Sequence, residues 1–382
     1  MYRIPFLAVL LLVSGFRFGN QSALFGLDIV ICAVGAFTIA KLASSTRVII
    51  PRTIVIIAIS IGCFFCLDQI NLVPIDYTVR GLARNTVFLL SVSSGYWFSK
   101  KPETRRLLYT SMMCSYLSFT LHYLLSELPL GEQYENIVKF GFGYMTLVLP
   151  AFLLKRWSTT ASVLTSVAGL AMIVQFDTRS FGALALLAST LSIVLNQKRL
   201  SPSTRLWVLS IGTLLSIIAV LYLFEQGGLD STGERRSLAD QSRIDQFWFT
   251  VEGISKSPWF GYGSWQNAVT FVSQIETEQP SFEGVHSWNL QLFYEYGVLG
   301  FLYSIIISIP LFLFLMRIVT NRIGSDFAPW ERLFWLLSLL FSIYLVIMGP
   351  FNGIARVYQG LLIGVALASN GSTRRNEVRK ST

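Results

Sequence analysis

Two kinds of residue in this chain have side chains suited to chemistry. The first is a histidine, His286, in the segment GVHSWNLQLFYEYGVLG (284–300), where polar and aromatic side chains surround it. A neutral imidazole can accept a proton near neutral pH. On a continuous helix Asn289 shares the face of His286 and Glu295 lies about 180° away, so a carboxylate that orients the histidine would come from elsewhere. The candidates are Glu252, Glu283 and Asp245, and the alternative is a surface histidine with no role.

The second kind is a set of three arginines, Arg179, Arg243 and Arg356. The planar guanidinium group suits phosphate oxygens. Ordinary partners are also within reach in the sequence, namely Asp177 for Arg179 and Asp240 or Asp245 for Arg243. A histidine and several arginines on one face of a membrane would suit a lipid-linked phosphate substrate.

The composition places these residues in a membrane protein. The chain is 53% hydrophobic and 13% charged, with a mean hydropathy of +0.57. A soluble domain carries about 25% charged residues. The CFFC motif at 63–66 has the spacing of a redox or zinc pair, but it lies in an apolar run without a second pair, so we interpret its cysteines as small apolar residues of a membrane helix.

Twelve apolar windows approach the roughly 20 residues needed to cross a bilayer. They are residues 4–19, 22–40, 53–69, 83–99, 107–126, 140–154, 159–176, 181–196, 206–224, 297–316, 333–349 and 354–370. With both termini in the cytoplasm, most of the 30 basic residues fall in cytoplasmic segments, as the positive-inside rule requires. The net charge of +9 therefore reflects topology, and no nucleic-acid partner is expected.

We therefore predict an all-α polytopic membrane protein with about twelve transmembrane helices and one large external loop that contains short helices. Residues 1–224 hold spans one to nine, 225–296 form the loop, 297–370 hold the last three spans, and 371–382 form a basic cytoplasmic tail. Within the loop, SRIDQFWFTVEGI (242–254) has helical spacing of apolar residues, and SPWFGYGSW (257–265) ends that helix.

Two other functional classes fit a protein with many spans. A lipid or polysaccharide transporter is the first, although ion-coupled transporters usually carry ionisable groups inside the membrane, and Asp28 is the clear case here. A scaffold that docks partners through its aromatic loop is the second.

Four segments in order resemble the O-antigen ligase and O-antigen polymerase family of bacterial membrane glycosyltransferases, over roughly 140 to 360. They are the arginine turn DTRSFGALALL, the loop helix that begins at Arg243, its Pro–aromatic–Gly-x-Gly ending, and the histidine segment with Leu290, Glu295, Gly297 and Gly300. The twelve spans with one large loop complete the resemblance, whereas the first 130 residues match in hydropathy alone.

The resemblance implies a GT-C-like architecture with the large loop in the periplasm. It also implies a metal-independent, inverting glycosyltransferase without a cofactor in the bacterial inner membrane. Its donor would be a glycan on undecaprenyl diphosphate, used at the periplasmic face. Carried over, His286 would deprotonate the acceptor hydroxyl, and Arg179, Arg243 and Arg356 would bind the diphosphate. Lipid A–core or another lipid-linked glycan would accept the sugar, with membrane lipids around the protein.

The sequence departs from the family at two places. Ser287 and Trp288 follow the histidine where many relatives have asparagine next, and Ser180 and Phe181 follow Arg179 in place of a glycine. Because the loop after the fifth span is short and His286 is present, we favour a ligase that acts on lipid A–core. An O-antigen, capsule or exopolysaccharide polymerase of the same family stays open.

Overall fold

A computed structural model describes residues 3–17, 25–44, 50–126, 233–266, 287–320 and 356–369, with isolated residues between 149 and 214 and between 327 and 342. The predicted spans from 140 to 224, the span at 333–349, and the tail at 371–382 lie wholly or largely outside the described residues.

The described residues are predominantly helical, and their β-structure is a single isolated bridge between Arg17 and Phe25. The named helices are α1 (Arg3–Val13), α2 (Gly26–Ser44), α3 (Arg52–Ile70), α4 (Ile75–Phe98), α5 (Pro102–Leu125), α6 (Gly233–Lys256), α7 (Trp288–Val319) and α8 (Arg356–Ser369). Proline stands just before or at the start of α3, α4 and α5, where a missing N–H costs no helical hydrogen bond.

Among the described residues, three helices are long and apolar enough to cross a membrane: α2, α3 and α7. The helix α8 is apolar but shorter. These findings agree with a helical membrane protein, and the number of twelve spans and the membrane side of the loop remain predictions. The helix α4 starts at Ile75, well before the predicted window at 83–99. The window starts too late because Asp76, Arg80 and Arg84 lower the hydropathy of the first turns of the helix.

The helix α4 lies at the centre of the described packing, in contact with α2, α3 and α5. The helix α8 also packs on it through glycines: a Cβ atom on Gly364 would lie 2.2 Å from the Val92 carbonyl oxygen, and one on Gly95 would lie 2.2 Å from the Leu361 carbonyl oxygen. Small residues allow this close approach of helix backbones in a membrane. A rigid α4 can therefore hold side chains that reach several neighbours.

The helix α7 is broken near its start. Tyr296 and Gly297 have non-helical backbone angles, and Gly297 has a φ of 59°. The sequence placed the outer edge of this span at Gly297, and the structure places the break there. The first part of α7, from Trp288 to Glu295, extends beyond the predicted span.

Candidate functional site

A buried ion pair joins α4 to the first part of α7. Arg84 and Glu295 are 2% and 0% exposed, so the pair is shielded from solvent on both sides. Arg84 Nη1 donates to Glu295 Oε1 at 3.1 Å, and Nη2 donates to Oε2. This two-pronged geometry is the strongest that arginine makes with a carboxylate. Arg84 Nη2 also donates to the Tyr296 hydroxyl at 3.2 Å, so one guanidinium group holds the two residues next to the break.

A second carboxylate, Asp68 near the end of α3, holds the turn that follows α6. Ser264 donates its backbone N–H to Asp68 Oδ1 at 2.8 Å and its hydroxyl to Oδ2 at 2.7 Å. The Tyr296 hydroxyl lies 2.7 Å from the Ser264 hydroxyl and links the two carboxylate groups. We call Asp68, Arg84, Ser264, Glu295 and Tyr296 the Glu295 cluster.

The turn at 257–265 lies across the break in α7 and is held there by backbone hydrogen bonds. They run from Tyr262 N to Tyr294 O (3.0 Å), from Gly263 N to Glu295 O (2.6 Å) and from Val298 N to Pro258 O (2.8 Å). Because the break removes helical partners from these α7 groups, the turn supplies partners in their place.

Two glycines make this contact possible. Gly261 has a φ of 68° and Gly297 a φ of 59°, a region that glycine enters without steric cost. A Cβ atom on Gly297 would lie 2.2 Å from the Trp259 carbonyl oxygen, and one on Gly261 would lie 2.5 Å from the Glu295 carbonyl oxygen. The glycines of the loop motif and of the histidine segment therefore dock the loop onto α7.

Trp265 ends this turn in a strained conformation. Its φ is 65°, which is rare for a bulky residue. Its backbone N–H points at Glu295 Oε1 at 3.3 Å, and its ring centroid lies 5.5 Å from the central carbon of the Arg84 guanidinium group. Strained residues of this kind persist where surrounding contacts hold them, often at functional sites.

The predicted phosphate-binding residue Arg356 is the first residue of α8 and lies close enough to the cluster to interact electrostatically with it. Its charge interacts with those of Arg84, Asp28 and Glu295. Asp28, at the start of α2, also accepts a hydrogen bond from the Phe25 backbone N–H at 3.0 Å. The structure therefore brings Arg356 to the same region as the histidine segment.

The predicted helix at 242–254 is part of α6, and two of its aromatic residues lie outside its buried face. Phe247 and Trp248 are 41% and 62% exposed, whereas Gln246 and Thr250 are buried. A Cβ atom on Gly253 would lie 2.3 Å from the Tyr294 ring, so the buried face packs on α7. The backbone of Arg243 belongs to the same helix, seven residues before Thr250.

An exposed ion pair closes α6. Lys256 Nζ donates to Glu252 Oε1 at 2.7 Å, one turn apart. This hydrogen bond and the lysine charge hold the pKa of Glu252 below its usual range, and the same contact raises the pKa of Lys256. Glu252 is thus occupied by a lysine on the surface. Asp245, a second candidate to orient the histidine, is exposed, and Glu283 lies outside the described residues.

The remaining predicted site residues are placed to different degrees. His286 and Arg179 lie outside the described residues, and of Arg243 the structure describes the backbone in α6. His286 directly precedes Ser287, which is extended (φ −155°, ψ 114°), and α7 begins at Trp288. The expectation that Glu295 lies about 180° from His286 assumed a continuous helix from 286 to 295, and it therefore does not apply.

Residues 161–305 match the family model described as O-antigen ligase. The resemblance to the O-antigen ligase family is confirmed. A comparison with curated proteins found no match. The match indicates an enzyme of surface-polysaccharide assembly with glycosyltransferase-like ligase activity, and the family's substrates are in general lipid-linked glycans and lipid A–core.

The segment that matches the family model, residues 161–305, is shorter than the resemblance predicted, which was roughly 140 to 360. It contains Arg179, Arg243 and His286, together with the turn at 257–265 and the break in α7. Arg356 lies outside it. So do Asp68 and Arg84, although both contact residues inside it.

Sequence reasoning missed Asp68 and Arg84 as parts of the site. A signal for Arg84 was present, since a charge at the edge of an apolar span is costly and usually has a partner. That partner, Glu295, is 211 residues away, and nothing in the local sequence selects it. The sequence also named Asp28 as the clear ionisable residue within the spans, and the structure adds the buried side chains of Asp68, Arg84 and Glu295.

A small apolar cavity of about 60 Å³ lies between α1, α2, α4, α5 and α8. Its lining includes Leu27 and Val357, the chain neighbours of Asp28 and Arg356. The described residues contain no group of three or more histidine, cysteine or acidic side chains placed to hold a metal ion.

Proposed function

We propose that this protein is an inner-membrane glycosyltransferase that moves a glycan from undecaprenyl diphosphate to an acceptor hydroxyl at the periplasmic face, with lipid A–core as the acceptor. The observation that carries the proposal is the O-antigen ligase match over 161–305, because that segment holds Arg179, Arg243 and His286 together. The twelve-span layout, with residues 225–296 as a periplasmic loop, belongs to the same proposal.

In the proposed reaction the acceptor oxygen forms a bond to the anomeric carbon of the donor sugar as the bond from that carbon to the phosphate oxygen breaks. Attack from the opposite side inverts the configuration. His286 takes the proton of the acceptor hydroxyl, and undecaprenyl diphosphate leaves with the electron pair. Because the leaving group is already activated, the protein's part is to position the reactants and neutralise negative charge, without a metal ion.

The arginines have the charge-neutralising role. Arg179, Arg243 and Arg356 would contact the diphosphate, and each stays protonated throughout the reaction. The position of Arg356 close to the Glu295 cluster supports its share in this site.

The test uses the full chain in nanodiscs with a glycan on undecaprenyl diphosphate and two acceptors offered separately. We expect glycan on lipid A–core, and a ladder of longer lipid-linked chains with the second acceptor would identify a polymerase instead. Transport of glycolipid across vesicles without a new glycosidic bond would favour a transporter. That class is tested because ionisable residues are buried among the helices, as in many transporters.

The chain offers a matched control for the catalytic histidine. It has two histidines, and His122 in α5 contacts the Ser118 carbonyl oxygen at 2.8 Å through Nδ1. We expect His286→Ala to lower kcat by about 100-fold to 10,000-fold, the usual contribution of a general base, while His122→Ala keeps kcat. Full transfer by a folded His286→Ala variant would remove the histidine from the mechanism.

A further inference from the structure

We propose that Arg84 and Asp68, which lie outside the matched segment, are positioning residues that hold the histidine segment and the loop in the arrangement needed for transfer. This inference rests on the proposed function, because it assigns them a role at that same site.

A chain of hydrogen bonds connects Arg84 to the residue next to His286. Arg84 holds Glu295, and Gln291 donates its side-chain Nε2 to Glu295 Oε1 at 3.1 Å, one turn earlier. The Gln291 backbone N–H in turn donates to the Ser287 carbonyl oxygen at 2.9 Å. Ser287 is bonded directly to His286. One side-chain and one backbone hydrogen bond thus connect Glu295 to Ser287, the residue next to the histidine.

A second contact from α4 fixes the same segment. Phe88, one turn after Arg84, packs edge-on against Trp288, with ring centroids 5.7 Å apart. Both rings are fully buried. Trp288 is two residues from His286, so α4 holds the start of α7 as well as the residues next to its break.

The cluster also fixes the other element that carries a predicted site residue. Asp68 holds Ser264, and Glu295 accepts the Trp265 N–H, at the end of the turn that follows α6. Arg243 belongs to α6. One set of buried charges therefore sets the position of the arginine helix relative to the histidine segment.

The energetics of the cluster favour a positioning role over simple stabilisation. A buried ion pair is often no more stabilising than apolar residues of the same volume, because both charges lose their hydration. Here the charges hold backbone that would not keep its shape unaided, with three left-handed glycines and a left-handed tryptophan. Charged hydrogen bonds are directional and can fix such a conformation, whereas apolar packing is not directional.

The test compares two buried pairs in the full chain. The double variant Arg84→Gln/Glu295→Gln removes both charges of the ion pair together, so that neither is left buried without the other, and Asp68 keeps its two hydrogen bonds from Ser264. The matched control is Glu331→Gln, which removes a fully buried glutamate that pairs with Arg105 and Arg106. Arg84→Lys keeps the charge but loses the two-pronged contact.

We expect the double variant to lower kcat by about 100-fold, the cost of misplacing a reacting group by about 1 Å, with the donor KM changed much less. Arg84→Lys should recover part of kcat, and Glu331→Gln should keep it per folded molecule. Equal losses of kcat in the double variant and in Glu331→Gln would overturn the inference, because the effect would then be one of general stability.

A second readout needs no activity. Hydrogen exchange over residues 287–296 should speed up in the double variant and stay unchanged in Glu331→Gln. If the wild-type protein transfers no glycan to either acceptor, the proposed function fails while this exchange result still decides whether the cluster holds the segment. Unchanged exchange in the double variant would overturn the positioning role independently of activity.

Discussion

Two buried glutamates are held by arginines in different ways. Glu295 pairs with Arg84 in the Glu295 cluster, whereas Glu331 accepts from Arg106 Nε at 3.1 Å and lies 3.5 Å from Arg105 Nη2. Around Glu331, Tyr109 joins Arg105 and Trp335, with its hydroxyl 2.9 Å from Arg105 Nε and 3.2 Å from Trp335 Nε1. We call Arg105, Arg106, Tyr109, Glu331 and Trp335 the Glu331 cluster.

The difference lies in what each glutamate holds. The described contacts of the Glu331 cluster join side chains in helical segments. The Glu295 cluster instead takes backbone N–H groups from a turn and lies beside a broken helix with left-handed glycines. The same ion-pair chemistry thus fastens helical segments around Glu331 and shapes irregular backbone around Glu295, which lies in the segment that matches the family model.

The largest expected effect comes from truncating each glutamate. Glu295→Ala leaves Arg84 charged and buried, and we expect the free energy of unfolding to fall by about 3–5 kcal/mol. Glu331→Ala should cost the lower end of that range, because Arg106 is 63% exposed and can return to solvent, and the buried Arg105 keeps its hydrogen bond to the Tyr109 hydroxyl. Denaturant titration in detergent measures both values, and a smaller loss in Glu295→Ala than in Glu331→Ala would contradict the comparison.

A smaller effect is expected from adding a methyl group at the break. Gly297→Ala forces a left-handed alanine against the Trp259 carbonyl oxygen, and we expect a loss of about 3 kcal/mol in the free energy of unfolding. The matched control is Gly62→Ala in α3, where a Cβ atom would meet nothing within 4 Å. That change should be neutral or stabilising by up to about 1 kcal/mol, since alanine favours a helix. Similar melting of the two variants would mean that the break is not held as described.

The smallest effect is expected from the exposed pair in α6. Lys256 lowers the pKa of Glu252, so the pair's contribution to stability is present above the usual glutamate pKa and is lost as the pH falls through the lowered value. Because both side chains are in solvent, we expect Glu252→Gln to leave the melting temperature unchanged at neutral pH. A clear drop would show that α6 is held by this pair as well as by its buried face.

Much of the helical framework could be predicted from the sequence, because apolar windows long enough to span a membrane are local features. The windows at 53–69 and 354–370 correspond closely to α3 and α8, and the predicted edge at Gly297 is the residue where α7 breaks. The start of α4 was less accurate, since Arg80 and Arg84 interrupt the hydropathy of a helix that continues through them.

The partners within the site could not be predicted in the same way. The sequence contains 21 acidic residues, and each arginine can pair with any that the fold brings near. Glu295 was considered as a partner for His286, and its partner is Arg84, from a helix that the family resemblance did not cover. The apolar spacing of 242–254 predicted a helix without assigning its buried face, and the exposed Phe247 and Trp248 lie outside the part of α6 that is buried.

The Glu295 cluster is proposed to act on transfer through the histidine segment, and a double-mutant cycle on kcat tests this claim. One change is His286→Ala, and the other is the neutral pair Arg84→Gln/Glu295→Gln. If the cluster acts by positioning His286, its removal costs little once the histidine is gone, so the combined variant should be within about threefold of His286→Ala alone. Losses that multiply, with the combined variant slower than His286→Ala by the full factor of the neutral pair, would contradict the claim.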